Sequence, residues 1–282
     1  MSSDYLTGYR IELENRQEIA ESSIDAVMLS SGELPERVDP RTSPLAKDGW
    51  LKVEDQFAMG SCQGNALSET LEYCWGLATK RVIQLSRCFA YIASQMEDNI
   101  NGDSGSTLSG GTKAAKKGIC LESIAPYPTH YPGWGYITEE MKKGRADFRL
   151  NSSTVINSAD QTRAYIGSLI GIVQIGVAWN SSMTPDSRGC ITRWSSANAG
   201  GHSVCLAGYV TDADVGVKTS RGWWLLLKNS WGQRWGINGY AYLHPDVADS
   251  MLTHQWTTFL GRSDMTIPGP RNIDWIQENV FA

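Results

Sequence analysis

The sequence predicts an α+β fold in which a helical first half packs against a strand-rich second half. Two patterns carry that expectation. Over Cys62–Thr79 the residues Leu67, Leu71, Cys74 and Ala78 recur at helical spacing, which buries one stripe of a helix. From about Ser153 the pattern changes to short apolar runs separated by glycine, at 172–179, 203–209, 223–228 and 239–243. The chain of 282 residues, 41% hydrophobic and 20% charged, is long enough for one large core or two modest ones.

The elements follow in order. Residues 1–33 read as an arm or short pro-segment, with a helix expected over Glu14–Ser30 that places Ala20, Ile24, Val27 and Met28 on one side. Ser30-Ser31-Gly32 breaks it, and the proline-rich, charged stretch Leu34–Pro44 reads as extended chain. Residues 34–152 form the helical domain. Ser61 is the expected N-cap of the helix that begins at Cys62. Further helices are expected over 85–96 and 107–117, the last ended by Gly118. Residues 153–262 form the β-rich domain. Within 263–282, Ile267–Arg271 reads as a linker and Asn272–Ala282 as a tail.

Composition excludes several classes. A net charge of -5 with no basic run argues against nucleic acid as a partner. No window approaches a membrane span, and Met1–Arg10 lacks the apolar core of a signal peptide. A reducing setting is therefore expected, cytoplasmic, intracellular or virion-associated. The six cysteines are expected to be mostly free thiols, with Cys74, Cys88 and Cys205 in the core and Cys190 exposed in a polar loop. Four histidines with no H-E-x-x-H, and no C-x-x-C pair, give no support for a metal, and no cofactor is called for.

Chemistry concentrates in three segments. Gln56 lies six residues before Cys62, which stands at the first turn of the clearest helix. Unpaired N–H groups and the macrodipole at such a position favour a thiolate. Far downstream lie Gly201-His202 and Lys228-Asn229-Ser230-Trp231. His202 supplies a base for the thiol, Asn229 an amide to fix its tautomer, and Gln56 an N–H for an oxyanion, together with the Cys62 backbone N–H. Taken alone, Cys62 reads as a small buried hydrophobe, as most cysteines are. The four residues together read as acyl transfer through a cysteine. The segment around Ser104 mimics the nucleophile loop of trypsin-like serine peptidases. That chemistry needs a histidine earlier in the chain, and His130, His202, His244 and His254 all follow.

The motifs Gln56-x5-Cys62, Gly200-Gly201-His202 and Lys228-Asn229-Ser230-Trp231-Gly232, continuing to Gly239-Tyr240, resemble the papain family of cysteine peptidases. Leu34-Pro35, Val38-Asp39 and Arg41 resemble the start of a mature member. His202 lies 140 residues after Cys62, within the spacing of that family. The resemblance implies a papain-like two-domain fold, a helical left domain and a β-barrel-like right domain with the active site in the cleft between them. It implies Cys62 as nucleophile, His202 as base and acid, Asn229 as orienter and Gln56 as oxyanion donor. Trp231 would shield the Asn229–His202 contact. Ser104 and Gly105 would flank the cleft, Gly201 would leave one pocket wall without a side chain, and a polypeptide substrate would bind extended.

The sequence departs from the family pattern at four places. Met59 replaces a second cysteine and Gln63 an aromatic residue, which sets the chain with prokaryotic and viral-style members that lack the usual disulfides. Residues 211–222 are a surface insertion. Residues 1–33 are short for a pro-segment, and the helix expected there suggests a reduced one or a regulatory arm that acts as inhibitor. The expected activity is a cysteine endopeptidase. Its alternatives are a transglutaminase- or amidase-like acyl transfer at the same dyad, and a catalytically silent peptide-binding homologue.

Overall fold

One helix organises the molecule. The structure is a computed structural model that describes residues 7–10, 13–14, 22–23, 34–145, 148–255 and 257–265. Helix α1 (Cys62–Thr79) is buried along most of its length. Its Leu67, Leu71 and Cys74 face a core shared with α2 (Arg87–Asp98) and α3 (Leu108–Lys117). Its Ala66, Tyr73 and Leu77 face a second core built on the sheet. The single buried stripe expected from spacing is therefore half of the arrangement. The polar residues between the stripes are buried too, and bond internally. Asn65 Nδ2 donates to the Ser61 carbonyl, Thr70 Oγ1 donates to that of Leu67, and Glu69 pairs with Lys228.

The helix ends follow the capping rules with one exception. Ser86 Oγ accepts from Phe89 N, and Thr107 Oγ1 accepts from Gly110 N. α2 begins two residues later than expected because Leu85 bridges to Leu121 as extended chain. Ser61 precedes α1 but its hydroxyl caps nothing. It lies 2.6 Å from the Tyr127 hydroxyl and also accepts from Asn65 Nδ2, and these partners draw it off the helix start.

The strands of the described residues form one open eight-stranded sheet, drawn from the second half of the chain except for its first edge strand. Its strands are β1 (Ser22–Ser23), β2 (Leu150–Ile156), β3 (Gly171–Trp179), β4 (Cys190–Ile191), β5 (Gly200–Thr211), β6 (Trp223–Lys228), β7 (Tyr240–Leu243) and β8 (Thr258–Met265). The order is β1-β2-β8-β3-β5-β6-β7-β4, parallel at both ends and antiparallel between. The α+β class and the four expected strands are present. β2 and β8, which pair with each other, are additional, and the consecutive polar residues within them leave no apolar run to mark them in the sequence.

Several expectations are corrected here. Cys190 is not exposed: it lies in β4, 2% accessible, against Val210 and Trp224, because the short strand pairs it with Tyr242. The helix over Glu14–Ser30 does not run through Ser22–Ser23, which pair with Thr154 and Val155 at the edge of β2. An unpaired strand edge competes successfully for that backbone. The rest of that stretch, apart from Glu14, and the linker and tail from 267 onward lie outside the described residues. The insertion at 211–222 forms a surface turn of helix over Asp212–Val215, closed by a capping box at Thr211. All six cysteines are free and buried. Met59, where the resemblance expects a disulfide cysteine, packs instead against Cys88, Tyr91 and Ile92.

The Glu69–Lys228 pair carries a stability prediction. Both side chains are nearly or fully inaccessible. Burial works against the lysine's charge, but the Glu69 carboxylate outweighs it and raises its pKa. Lys228→Met strands a buried carboxylate and is expected to cost about 3–5 kcal/mol in denaturant unfolding. Lys228→Met with Glu69→Leu should recover most of that. Equal losses in the single and double variants would count against the pair as the cause.

Candidate active site

The loop that delivers Cys62 is fixed at both ends. Gln56 N donates to the Ser230 carbonyl at 2.8 Å, and Asp55 bridges to Trp231, so the loop leaves directly from the strand-rich half. Tyr127 OH donates to the Gln56 carbonyl, and the Arg87 guanidinium lies 4.1 Å above the Tyr127 ring. At the far end Gly60 N donates to Asp103 Oδ1, which also accepts from Tyr91 OH. Tyr91 OH in turn accepts from Gly105 N. Asp103 thereby ties the nucleophile loop to the Ser104–Gly105 rim. Sequence reading passed over it; its place beside Ser104 was the available signal.

Cys62 is the first residue of α1, as expected. Its thiol is inaccessible to solvent. Burial pushes its pKa up to about 11, and the backbone groups of Ser203, Gly8 and Gln63 act the other way. Gln63, the residue that departs from the family pattern, is bound into the cleft wall. Its Oε1 accepts from Ser106 Oγ, and its carbonyl accepts from Gln174 Nε2.

His202 lies in β5, opposite Val177, and Asn229 directly follows β6. His202 Nε2 and Asn229 Oδ1 are 2.9 Å apart. Asn229 Oδ1 also accepts from Ser230 N at 2.8 Å. A backbone N–H only donates, so the amide oxygen must occupy that corner, and His202 Nε2 must carry the proton. The Nδ1 lone pair is then the basic site, and Nδ1 has no hydrogen-bond partner among the described residues. Burial lowers the His202 pKa to about 4, against the Asn229 bond, which raises it. A neutral imidazole and a neutral thiol are thus the stable forms here, rather than the ion pair that helix-start chemistry suggests.

Trp231 covers this pair, its ring centroid 4.6 Å from that of His202. Trp179 meets the imidazole edge-on at 4.9 Å and packs against Trp231 and Trp235. Gln56 is buried beside them. Its Oε1 accepts from Ser230 Oγ and its Nε2 donates to the Met59 carbonyl, which fixes the amide plane. Phe57 next to it holds a left-handed φ of 50° with 57% of its surface exposed.

The cleft is occupied by the chain's own N-terminal arm. Ser106 N donates to the Gly8 carbonyl at 2.9 Å, Arg10 N donates to the Ser106 carbonyl at 3.0 Å, and Tyr9 N donates to the Gly201 carbonyl at 2.9 Å. Arg10 Nη1 also reaches the Ser104 carbonyl. The rim residues Ser104 and Gly105 are thus at the cleft, while the ladder itself runs through Ser106, one position on. A Cβ on Gly8 would stand 1.9 Å from the Gly60 carbonyl oxygen, so only glycine passes between those walls. Further along, the Glu14 carboxylate accepts from Leu108 N and Ser109 N at the start of α3. Ser22–Ser23 form the third attachment, at β2.

No described group of acidic, cysteine or histidine side chains is arranged to hold a metal ion, and no described helix is long and apolar enough to cross a membrane.

Comparison with known proteins gives the family. The model of the papain family cysteine proteases matches residues 34–258, and the chain belongs to that family. It is 29% identical over 227 residues to an uncharacterized peptidase C1-like protein of Acanthamoeba polyphaga mimivirus, covering 72% of this chain and 67% of that one. It is 30% identical over 230 residues to the viral cathepsin of Adoxophyes honmai nucleopolyhedrovirus, covering 79% and 61%. The crystal structure of xylellain, a cysteine protease from Xylella fastidiosa, superimposes with a TM-score of 0.70 at 20% identity, covering 92% of this chain and 96% of that one, and shares the fold. The chain spans about three-fifths to two-thirds of the length of these viral relatives.

The arm's grip on Cys62 is testable through the thiol. With the pKa raised to about 11 by burial, alkylation by iodoacetamide should climb about tenfold per pH unit from pH 7 to 9 without a plateau. Gly8→Val, which the Gly60 backbone cannot accommodate, should expel the arm. Alkylation should then be at least about tenfold faster at pH 7 and level off at lower pH. An unchanged profile would mean that the arm does not control the thiol.

Proposed function

We propose that the chain is a cysteine endopeptidase held inactive by its own N-terminal arm. The observation that carries the reading is the fixed tautomer. Asn229 Oδ1, which accepts from Ser230 N, accepts a hydrogen bond from His202 Nε2–H and leaves the Nδ1 lone pair as the site for a second proton. The role of Asn229 in this reading is orientation, and it does not react.

In this reading the Cys62 sulfur attacks the carbonyl carbon of an extended peptide while its proton passes to His202 Nδ1. The carbonyl oxygen becomes an oxyanion, held by the Cys62 backbone N–H and the Gln56 amide. Collapse expels the amine, which takes the proton from His202 and leaves a thioester on Cys62. Water, losing a proton to His202, then attacks the thioester and releases the acid. Trp231 and Trp179 keep bulk water off the His202–Asn229 bond, where a lower dielectric strengthens it.

The arm is read as an inhibitor because it meets the sulfur the wrong way round. The Gly8 carbonyl is turned to Ser106 N, and a Gly8 backbone donor faces Cys62. The nucleophile finds no carbonyl carbon, so the arm binds as a peptide does and escapes cleavage.

Three variants, each made in the Gly8→Val chain so that the arm is displaced, test the assignment. Cys62→Ala is expected to abolish peptide hydrolysis with its thermal midpoint retained. His202→Ala should do nearly the same. Asn229→Ala should keep measurable activity, about 10²- to 10⁴-fold reduced, as for loss of an orienting group. Treatment with a peptidyl epoxysuccinate followed by intact mass should give one adduct on Cys62 in the Gly8→Val chain and none when His202→Ala is added. Full activity in Cys62→Ala would sink the proposal.

A further inference from the structure

We infer that Gln174, locked by the buried Arg262, is a positioning residue for the Cys62 thiol, because its single amide holds the two residues whose backbones face the sulfur. The inference rests on the peptidase reading above and adds a residue to its machinery.

Gln174 is the one hydrophilic residue of β3, a strand buried from end to end. Arg262 of β8 lies beside it and is fully buried too. Arg262 Nε donates to Gln174 Oε1 at 2.7 Å, Nη1 to Thr112 Oγ1 at 3.0 Å and Nη2 to the Leu108 carbonyl at 3.2 Å. No carboxylate pairs with it among the described residues. The titratable groups that bear on it, Glu14, Cys205 and Tyr165, act through space, without a hydrogen bond. Burial lowers its pKa to about 10, so it stays charged at neutral pH. A cation held out of water without an anion is costly, and packing alone would be served better by an apolar side chain.

Arg262 decides which way the amide faces. A guanidinium only donates, so Gln174 must turn Oε1 to it and leave Nε2 for the opposite side. There Nε2 donates to the Gln63 carbonyl and to Ser203 Oγ, each at 3.2 Å. Gln63 follows Cys62 on α1, and Ser203 follows His202 on β5. Backbone groups of these same two residues face the Cys62 sulfur and favour its thiolate. One amide therefore clamps the helix of the nucleophile to the strand of the base, one residue away from each. The positive end of its dipole faces the clamped residues, and the Arg262 charge behind it polarises it further in that direction.

Two substitutions separate this role from plain packing. Gln174→Glu keeps an acceptor for Arg262 but has no donor for Gln63. Gln174→Met keeps the approximate volume and loses both ends. A purely structural Gln174 makes glutamate the milder change in every measure, since it completes a buried ion pair. In the positioning role, stability and reactivity part company.

Both variants are made in the Gly8→Val chain. Iodoacetamide alkylation of Cys62 is followed against pH by peptide mapping, with a thermal melt and peptide hydrolysis alongside. Gln174→Glu is expected to melt no lower than the parent, yet to move the alkylation midpoint up by at least about one pH unit. Its kcat should fall about ten- to hundredfold with KM within about twofold, as for a misplaced reacting group. Gln174→Met should melt lower and move the midpoint up by less, because it adds no negative charge. An unchanged midpoint in Gln174→Glu would overturn the inference, as would losses of kcat that simply follow the melting temperature in both variants. Should the glutamate chain fail to fold, an unchanged midpoint in Gln174→Met overturns the inference and a raised one supports it. Alkylation needs no peptide turnover. A parent chain that alkylates but cleaves no peptide would overturn the peptidase reading and leave Gln174 to be judged by the midpoint alone.

Discussion

The ion pair of Glu69 and Lys228 sets the geometry on which the cleft depends. Glu69 lies on α1, two turns below Cys62, and Lys228 is the last residue of β6, directly before Asn229. One buried contact therefore fixes the helix that carries the thiol against the strand that carries the amide. Apolar packing on either face of α1 is non-directional and would allow the helix to slide. A charged pair out of water tolerates little displacement, since separation leaves two desolvated charges uncompensated. Asn229 then inherits its position from Lys228, and Ser230 N turns the Asn229 oxygen towards His202. The tautomer of the histidine is thus tied to a contact on the far side of the core.

Burial and reactivity oppose each other at this site. The Cys62 thiol is raised to about 11 and the His202 imidazole lowered to about 4, and desolvation is the leading cause for both. The arm contributes to that desolvation, because Tyr9 packs directly on Cys62. Its Gly8 donor favours the thiolate but is outweighed by the loss of water. In the proposed function, release of the arm is therefore more than the opening of an entrance. It returns solvent to the sulfur and lets the helix start and the imidazole shift the proton.

Much of this was legible in the sequence, and the failures have physical reasons. Cys62, His202, Asn229 and Gln56 were found from residue type and spacing, and the three-dimensional fold brings Gln56, Asn229 and His202 to one buried corner. β2 and β8 were missed because polar residues interrupt them and their pairing is with each other and with β3, beyond the reach of a local window. Asp103 was missed because its importance lies in joining Gly60 to Tyr91, forty-three residues and twelve residues away in the chain. The arm's helix failed at Ser22–Ser23 because a helical periodicity in a short segment carries less than the open edge of β2.

The arm's hold also follows from how it is attached. It touches the body at the Gly201 and Ser106 backbones, at the first two amides of α3 through Glu14, and at the edge of β2. Each attachment is small, a pair of main-chain bonds or one carboxylate on a helix start, and none would hold a free peptide for long. Joined on one chain, each keeps the others at a high effective concentration, so the cleft segment rebinds faster than a dilute competitor arrives. The same linkage makes the arm easy to dismiss. Gly8 passes Gly60 with no room for a β-carbon, and among the described residues of the arm only Tyr9 joins a buried apolar cluster. In the proposed function, an arm built from backbone contacts and one aromatic anchor loses most of its grip when the chain is cut or the anchor is removed.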